Sequence, residues 1–221
     1  MPRGAIRSFA VVLSLAAACA ARAQDSSRRG APGDFDFYVL ALSWSPGFCA
    51  LEGDRRGLGQ CEPGSGLGFV VHGLWPQYER GYPSDCDPFD RSPPRSALQE
   101  ADGVFPDERL ARYEWRKHGT CSGKSPSDYF RDARRARDRI RVPERFRAAF
   151  GGGALRAIEI ERAFAEANPG LRPDMMSVVC RRGVLQEVRI CLERDLRAFR
   201  RCPEVDRPSC GFGPVRINAA R

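Results

Sequence analysis

Cysteine constrains this chain most. Nine cysteines fall at positions 19, 49, 61, 86, 121, 180, 191, 202 and 210. Cys19 belongs to an opening stretch in which Arg3 and Arg7 precede an apolar run, Phe9 to Ala20, and a small-x-small signal, Ala21-Arg22-Ala23. Residues 1–23 read as a secretory signal peptide cut after Ala23, with an apolar run too short to span a bilayer. A lipid anchor at Cys19 is the alternative, weakened by Ala16 where a larger aliphatic residue is usual. Without the signal the cysteine count is even. Eight cysteines on an exported chain imply an oxidising compartment, periplasmic or extracellular, and four disulfides. Zinc is the rival use of cysteine, but no Cys-x-x-Cys pair occurs, so no metal is expected.

The length of 221 residues suits one well-cored domain. Of the formal net charge of +8, the signal carries Arg3, Arg7 and Arg22 without an acid, leaving +5 (8 − 3) on the mature chain. A moderately basic exported protein tends to meet polyanions. No later segment is apolar enough to be transmembrane, and no membrane partner is expected.

Residues 24–34 are polar and turn-rich, a flexible lead-in to a domain over 35–215. Phe35 to Trp44 and Gly68 to Trp75 read as strands, the second buried and carrying His72 near its end. Residues 79–106, rich in Pro, Asp, Ser and Gly, read as a long loop pinned by Cys86. Asp107 to His118 reads as a helix, with Glu114, Lys117 and His118 on one face. Ser125-Pro-Ser-Asp128 carries a capping-box pattern and opens a second helix that stops before Pro143. Shorter helices are expected from Pro143 to Gly151 and from Ala154 to Asn168. Met175 to Arg181 and Val184 to Leu192, joined at Arg182-Gly183, read as a hairpin. The picture is α+β, with helices in the middle of the chain.

The only two histidines of the chain sit in Phe69-Val-Val-His72-Gly-Leu-Trp75-Pro76 and Tyr113-Glu114-Trp115-Arg-Lys117-His118-Gly-Thr-Cys121. Two imidazoles supply what acid–base catalysis needs near neutral pH, one group to take a proton and one to give it. These segments resemble the two active-site segments of the ribonuclease T2 family, exported, base-tolerant ribonucleases of the transferase type. Ser43-Trp-Ser-Pro-Gly-Phe-Cys49, Asn168-Pro-Gly-Leu-Arg-Pro173 and Leu185-Gln-Glu-Val-Arg-Ile-Cys191 extend the likeness over nearly the whole mature chain.

The resemblance implies a mostly antiparallel sheet with a packed helical subdomain, a single disulfide-stapled domain whose cleft is lined by both segments. It also implies the pairings Cys49–Cys61, Cys86–Cys121, Cys180–Cys210 and Cys191–Cys202. RNA would be cleaved by transphosphorylation through 2′,3′-cyclic phosphate ends to 3′-phosphates, with broad base tolerance, no metal and no cofactor. His118 would be the general base and His72 the general acid, Lys117 would neutralise the phosphorane oxygens, and Glu114 would orient the cluster or, partly protonated, assist the phosphate. DNA, lacking the 2′-OH, would resist, and the enzyme would act as a monomer.

Members of the family often carry a histidine before the Glu-Trp pair, where it helps to hold phosphate; here Tyr113 stands there. A phenol donates a hydrogen bond but carries no positive charge. Other substrate-binding candidates are Trp75, which serves either as core filler or as a base-stacking platform, and Tyr78 and Tyr82 in the loop after it. The bland reading of Glu114 and Lys117 is a solvated helix pair, and that of the arginine run from Arg131 to Arg147 a solvated face rather than an RNA track. The rival to an enzyme is a catalytically silent, exported polyanion- or RNA-binding protein on the same fold, with Tyr113 marking decay of the site. A secreted toxin acting through ribonuclease activity is a further rival, without a visible delivery segment.

Overall fold

The computed structural model of the chain describes residues 1, 27–28, 30–90, 92–147, 151–207, 210–211 and 213–220. Residues 2–23 of the expected signal peptide, Cys19 included, lie outside the described residues, as do 148–150 within the short helix expected from Pro143. The strands are β1 (Ser27–Arg28), β2 (Phe37–Trp44), β3 (Phe69–Gln77), β4 (Tyr82–Pro83), β5 (Gly153–Leu155), β6 (Met176–Arg181), β7 (Val184–Leu192) and β8 (Val215–Ile217). The helices are α1 (Ser45–Phe48), α2 (Arg95–Ala101), α3 (Glu108–Lys117), α4 (Pro126–Arg139) and α5 (Ala157–Ala167).

A six-stranded sheet runs β3-β2-β7-β8-β5, with β6 also paired to β7. Its pairings are antiparallel except for one parallel contact between β7 and β8. β2 is apolar at both parities because it is covered on both faces. Tyr38, Leu40, Leu42 and Trp44 enter the main core with Trp115, Tyr129, Phe130 and Phe164 from the helices. Phe37 and Val39 face the other way, into a small cluster with Cys191, Cys202 and Trp75. Each of the large side chains fully buried here contributes roughly 1.5–3 kcal/mol through the hydrophobic effect. The functional side of the sheet is the one with the small cluster.

Two helix starts are set by side chains. Asp107 Oδ1 accepts from Leu110 N at 2.8 Å to open α3, and Ser125 Oγ accepts from Asp128 N at 3.2 Å, with Pro126 in the first turn, to open α4. Cys49–Cys61 staples the helical turns after β2, and Cys86–Cys121 ties the loop after β4 to the turn that follows α3. Cys180–Cys210 and Cys191–Cys202 fasten the C-terminal segment to β6 and β7.

The helices and strands depart from the sequence reading where elements are short. The stretch 79–106 is not all loop, for it holds β4 and α2. α2 buries Ala97, Leu98 and Ala101 on a face only seven residues long, too short for its period to stand out. Among the described residues, the segment after Pro143 holds one 3-10 turn, Glu144–Phe146. Residues 153–155 form β5 and not the start of a helix, so α5 begins at Ala157. In the lead-in, Ser27–Arg28 pairs in parallel with Tyr82–Pro83, and Gly33 N donates to Cys121 O at 2.9 Å.

Candidate active site

His72 owes its direction to a β-bulge. In the β2–β3 ladder Leu42 faces Val71 and Ala41 faces Gly73, which leaves His72 as the extra residue on β3. Such a bulge bends the strand and re-aims the side chain. Across β2, Ser43 is in register with Glu187 of β7 and Ala41 with Arg189. Both β2 residues are small, so the half-buried His72 reaches over the strand and its Nδ1 hydrogen-bonds Glu187 Oε1. Glu187 Oε2 accepts from Arg189 Nε at 2.9 Å and lies 2.8 Å from its Nη2.

From the other side α3 delivers Glu114, 1 % exposed. Glu114 Oε2 accepts from Trp75 Nε1 at 2.7 Å, and Oε1 lies 3.7 Å from His72 Nε2. His118 ends α3, with its N–H donating to Glu114 O at 2.9 Å. Trp75's ring centroid is 5.3 Å from each imidazole, and Arg189 lies 5.0 Å from the Trp75 ring on β7's side. His72, Trp75, Glu114 and His118 thus form one cluster, with Lys117 beside His118.

Burial and charge separate the two imidazoles. Burial favours a neutral His72, but the hydrogen bond and charge of Glu187 and the charge of Glu114 outweigh it, and its pKa is raised above the ordinary value against the opposing pull of Arg189. His118 is pushed well below the usual histidine value by burial, then by the positive Lys117, His72 and Arg189. Its Nδ1 has no hydrogen-bond partner among the described residues. Burial pushes Glu114 up to about 7 despite His72, the Trp75 hydrogen bond and Lys117. Burial would also raise Glu187, yet the hydrogen bond and charge of His72, with Arg189, bring it down to about 2. Burial pulls Lys117 down, while a hydrogen bond with Tyr113 and nearby negative groups hold it above its ordinary value.

Two cavities flank the cluster. One of about 400 Å³ opens beside His72 and Glu187, with Ser43, Leu110 and Tyr113 in its wall. The other, of about 320 Å³, lies beside Trp75 and Arg189 and includes Tyr78 and Tyr82. Tyr113 is 40 % exposed, on the rim, with the Lys117 ammonium 5.7 Å from its ring. Tyr82 comes within 6.1 Å of His118 ring to ring, whereas Tyr78 places its hydroxyl 3.3 Å from Asp34 Oδ2. Half of the arginine run is paired with acids within the domain: Arg131 pairs with Asp128 and Glu100, Arg135 with Asp132, Arg137 with Asp138 and Arg147 with Glu144. Among the described residues, the one group of three metal-type ligands close together is Cys49, Asp54 and Cys61, and its cysteines are joined in a disulfide.

Sequence reasoning gave Glu187 and Arg189 no role. Their signal is an acid and a base two apart in a mostly apolar strand, which puts both on one face of the sheet's centre.

The model of the ribonuclease T2 family matches residues 35–202. A ribonuclease of Aeromonas hydrophila is 37% identical over 189 residues, covering 83% of this chain and 85% of the relative. Ribonuclease I of Escherichia coli is 28% identical over 206 residues, covering 74% and 77%. Among solved structures, an RNase-related protein from Calystegia sepium superposes with a TM-score of 0.62 at 20% identity, covering 84% of this chain and 97% of its own. A mutant of RNase MC1 in complex with 5′-UMP superposes at 0.58 with 26% identity, covering 80% and 96%. The chain belongs to the ribonuclease T2 family, and with it falls among the endoribonucleases.

Proposed function

We propose that this endoribonuclease cleaves single-stranded RNA by metal-independent transphosphorylation, with His118 as general base and His72 as general acid. The reading is carried by one observation: two histidines around one tryptophan, in environments that push their proton affinities in opposite directions. A base must be neutral before it acts and an acid protonated, and the two sites favour those states.

RNA brings its own nucleophile. Neutral His118 takes the proton of the 2′-OH, the 2′-oxygen attacks the adjacent phosphorus, and His72 gives its proton to the departing 5′-oxygen. The products are a 2′,3′-cyclic phosphate and a free 5′-OH. In the second stage water replaces the leaving alcohol, the proton roles reverse, and a 3′-phosphate is left. Lys117 meets the charge that gathers on the non-bridging oxygens, the kind of preorganised stabilisation that is strongest away from bulk water. Glu114, held by Trp75 and titrating near neutrality, keeps the imidazoles in place and, when protonated, donates to a phosphate oxygen. The cavities on either side fit the two bases that flank the scissile phosphate, with Trp75 and Tyr82 supplying stacking surface on one side. Tyr78 is a lesser contributor, because its hydroxyl lies near Asp34.

The reading includes export after removal of residues 1–23, action as a monomer and broad base tolerance. No helix among the described residues is long and apolar enough to cross a membrane. The test uses the mature, disulfide-intact protein with a defined RNA and the matching DNA in excess EDTA at mildly acidic pH, with product ends read by mass. RNA fragments with 2′,3′-cyclic or 3′-phosphate ends beside intact DNA are expected. Intact RNA from folded protein would replace this reading with that of a silent RNA-binding protein.

A further inference from the structure

We propose that Glu187 is a positioning residue for the general acid, holding His72 through Nδ1 so that Nε2 is the nitrogen presented to the leaving oxygen. This rests on the assignment of His72 made above. Both oxygens of Glu187 are engaged, Oε1 by His72 Nδ1 and Oε2 by Arg189, whose Nε and Nη2 lie 2.9 and 2.8 Å away. Glu187 is 8 % exposed and sits on the central strand of the sheet, paired on both sides. A planar guanidinium against a carboxylate fixes the orientation of both.

The proton count follows from this arrangement. A histidine hydrogen-bonded through Nδ1–H has its other nitrogen free for chemistry, and the partner of the first decides which tautomer survives once the second has given up its proton. When His72 Nε2–H transfers its proton to the 5′-oxygen, the neutral ring keeps Nδ1–H on Glu187. Glu187 itself takes no proton. In the second stage Nε2 accepts the proton of the attacking water, and the imidazolium is again paired with the carboxylate.

The charged groups facing His72 come from every side. Glu187 and Arg189 stand on β7, Glu114 on α3 and His118 at its end, while the β2 residues between, Ala41 and Ser43, are uncharged. Glu114 does not duplicate Glu187. It lies on the Nε2 side at 3.7 Å, and its other oxygen accepts from Trp75. Burial favours neutral His72, so the counter-charge of Glu187 keeps the acid protonated at working pH.

The experiment follows the His72 imidazole by NMR titration, and kcat and KM against pH on an RNA dinucleotide, in the wild type, Glu187→Gln and Arg189→Gln. Glu187→Gln keeps an acceptor and removes the charge. The His72 pKa is expected to fall by about one unit, and the alkaline limb of kcat to move with it. Above that limb kcat drops roughly tenfold, the loss of protonated imidazole that one unit gives, while KM changes by less than about twofold. Arg189→Gln removes an opposing charge and is expected to move the same limb to higher pH. General structural damage would not shift one limb in opposite directions. An unchanged His72 titration in Glu187→Gln overturns the proposal; should that variant not fold, an unchanged limb in Arg189→Gln does so. His72→Ala separates this from the underlying reading: full activity there would refute His72 as the acid, whereas the titration of His72 judges Glu187 whatever the activity.

Discussion

Gly73 stands so close to Glu114 that a β-carbon at position 73 would lie 2.1 Å from Oε2, and 2.2 Å from Trp75 Nε1. The residue after the bulged His72 is therefore glycine because the Glu114–Trp75 hydrogen bond occupies the space of a side chain. Gly73→Ala is expected to push the buried carboxylate away from both Trp75 and His72. Misplacement of about an ångström costs catalysis roughly 10²-fold, and forcing a methyl into a packed site costs about 1–3 kcal/mol. Steady-state kinetics beside thermal unfolding separates the two effects. Wild-type kcat in a folded variant would show that the placement of Glu114 is immaterial to the chemistry.

The opposite leanings of the histidines give the pH profile its shape. In the proposed mechanism His118 acts neutral, so its depressed pKa sets the acid limb, and His72 acts protonated, so its raised pKa sets the alkaline limb. A bell is expected, with both limbs lost from the respective alanine variants and each variant down about 10²–10⁴-fold. Activity that still climbs above about pH 9 would be incompatible with two histidines, whose ordinary pKa is about 6.5.

The Glu187–His72 pair also makes stability depend on pH. Glu187 falls to about 2 in the folded protein from an ordinary 4.5, so its contribution is present above 4.5 and is lost as pH falls toward 2. His72 is raised above 6.5, so its contribution is full below 6.5 and is lost as pH rises through the folded value. The stability difference between wild type and Glu187→Gln is therefore expected to be largest between those two ordinary values and to shrink on either side. Urea unfolding of both proteins at three pH values measures it, and a difference that is flat with pH would show that the pair is not linked to folding.

Most of the candidate site was readable as a cluster because it lies in two short segments: His72 with Trp75, and Glu114 with Lys117 and His118 at helical spacing. The long, periodic elements β2, α3 and α4 were readable for the same reason. Other features depend on distant partners. The bulge at His72 exists only against β2, and Glu187 becomes a site residue only because Ala41 and Ser43 are small enough for His72 to reach across. α2 and β8 are seven and three residues long, so packing decides them and not local pattern. The arginine run read as an exposed face, and acidic partners within the domain account for Arg131, Arg135 and Arg137.

The Cys86–Cys121 bond holds the site from outside. Cys121 follows His118 by three residues, its N–H donates to His118 O at 3.0 Å, and Asp85 N donates to Lys117 O at 2.8 Å beside the bridge. Replacing both cysteines with serine frees the turn that carries His118, the proposed general base, as well as opening a 35-residue loop. A loss of about 2–4 kcal/mol is expected. Below the new melting temperature, kcat is expected to fall with little change in KM. An unaltered kcat in the folded double variant would show that α3 alone positions His118.

Tyr113 stands on the rim of the cavity beside His72, 40 % exposed. Its ring lies against Lys117 and Arg116, and it shares the cavity wall with His72, so a charge there would face the substrate. Tyr113→His adds that charge only when the imidazole is protonated. Below about pH 6 the variant is expected to bind RNA more tightly than wild type, and the slope of log KM against log salt to steepen by about 0.7, the increment for one further phosphate contact on a single strand. Above about pH 8 the added ring is neutral and the difference disappears. Because the proposed mechanism gives the proton transfers to His72 and His118, kcat is expected to change little at either pH. A salt slope equal to that of wild type at acidic pH would mean that position 113 does not meet phosphate, and that Tyr113 serves this cleft only through its ring contact with Lys117.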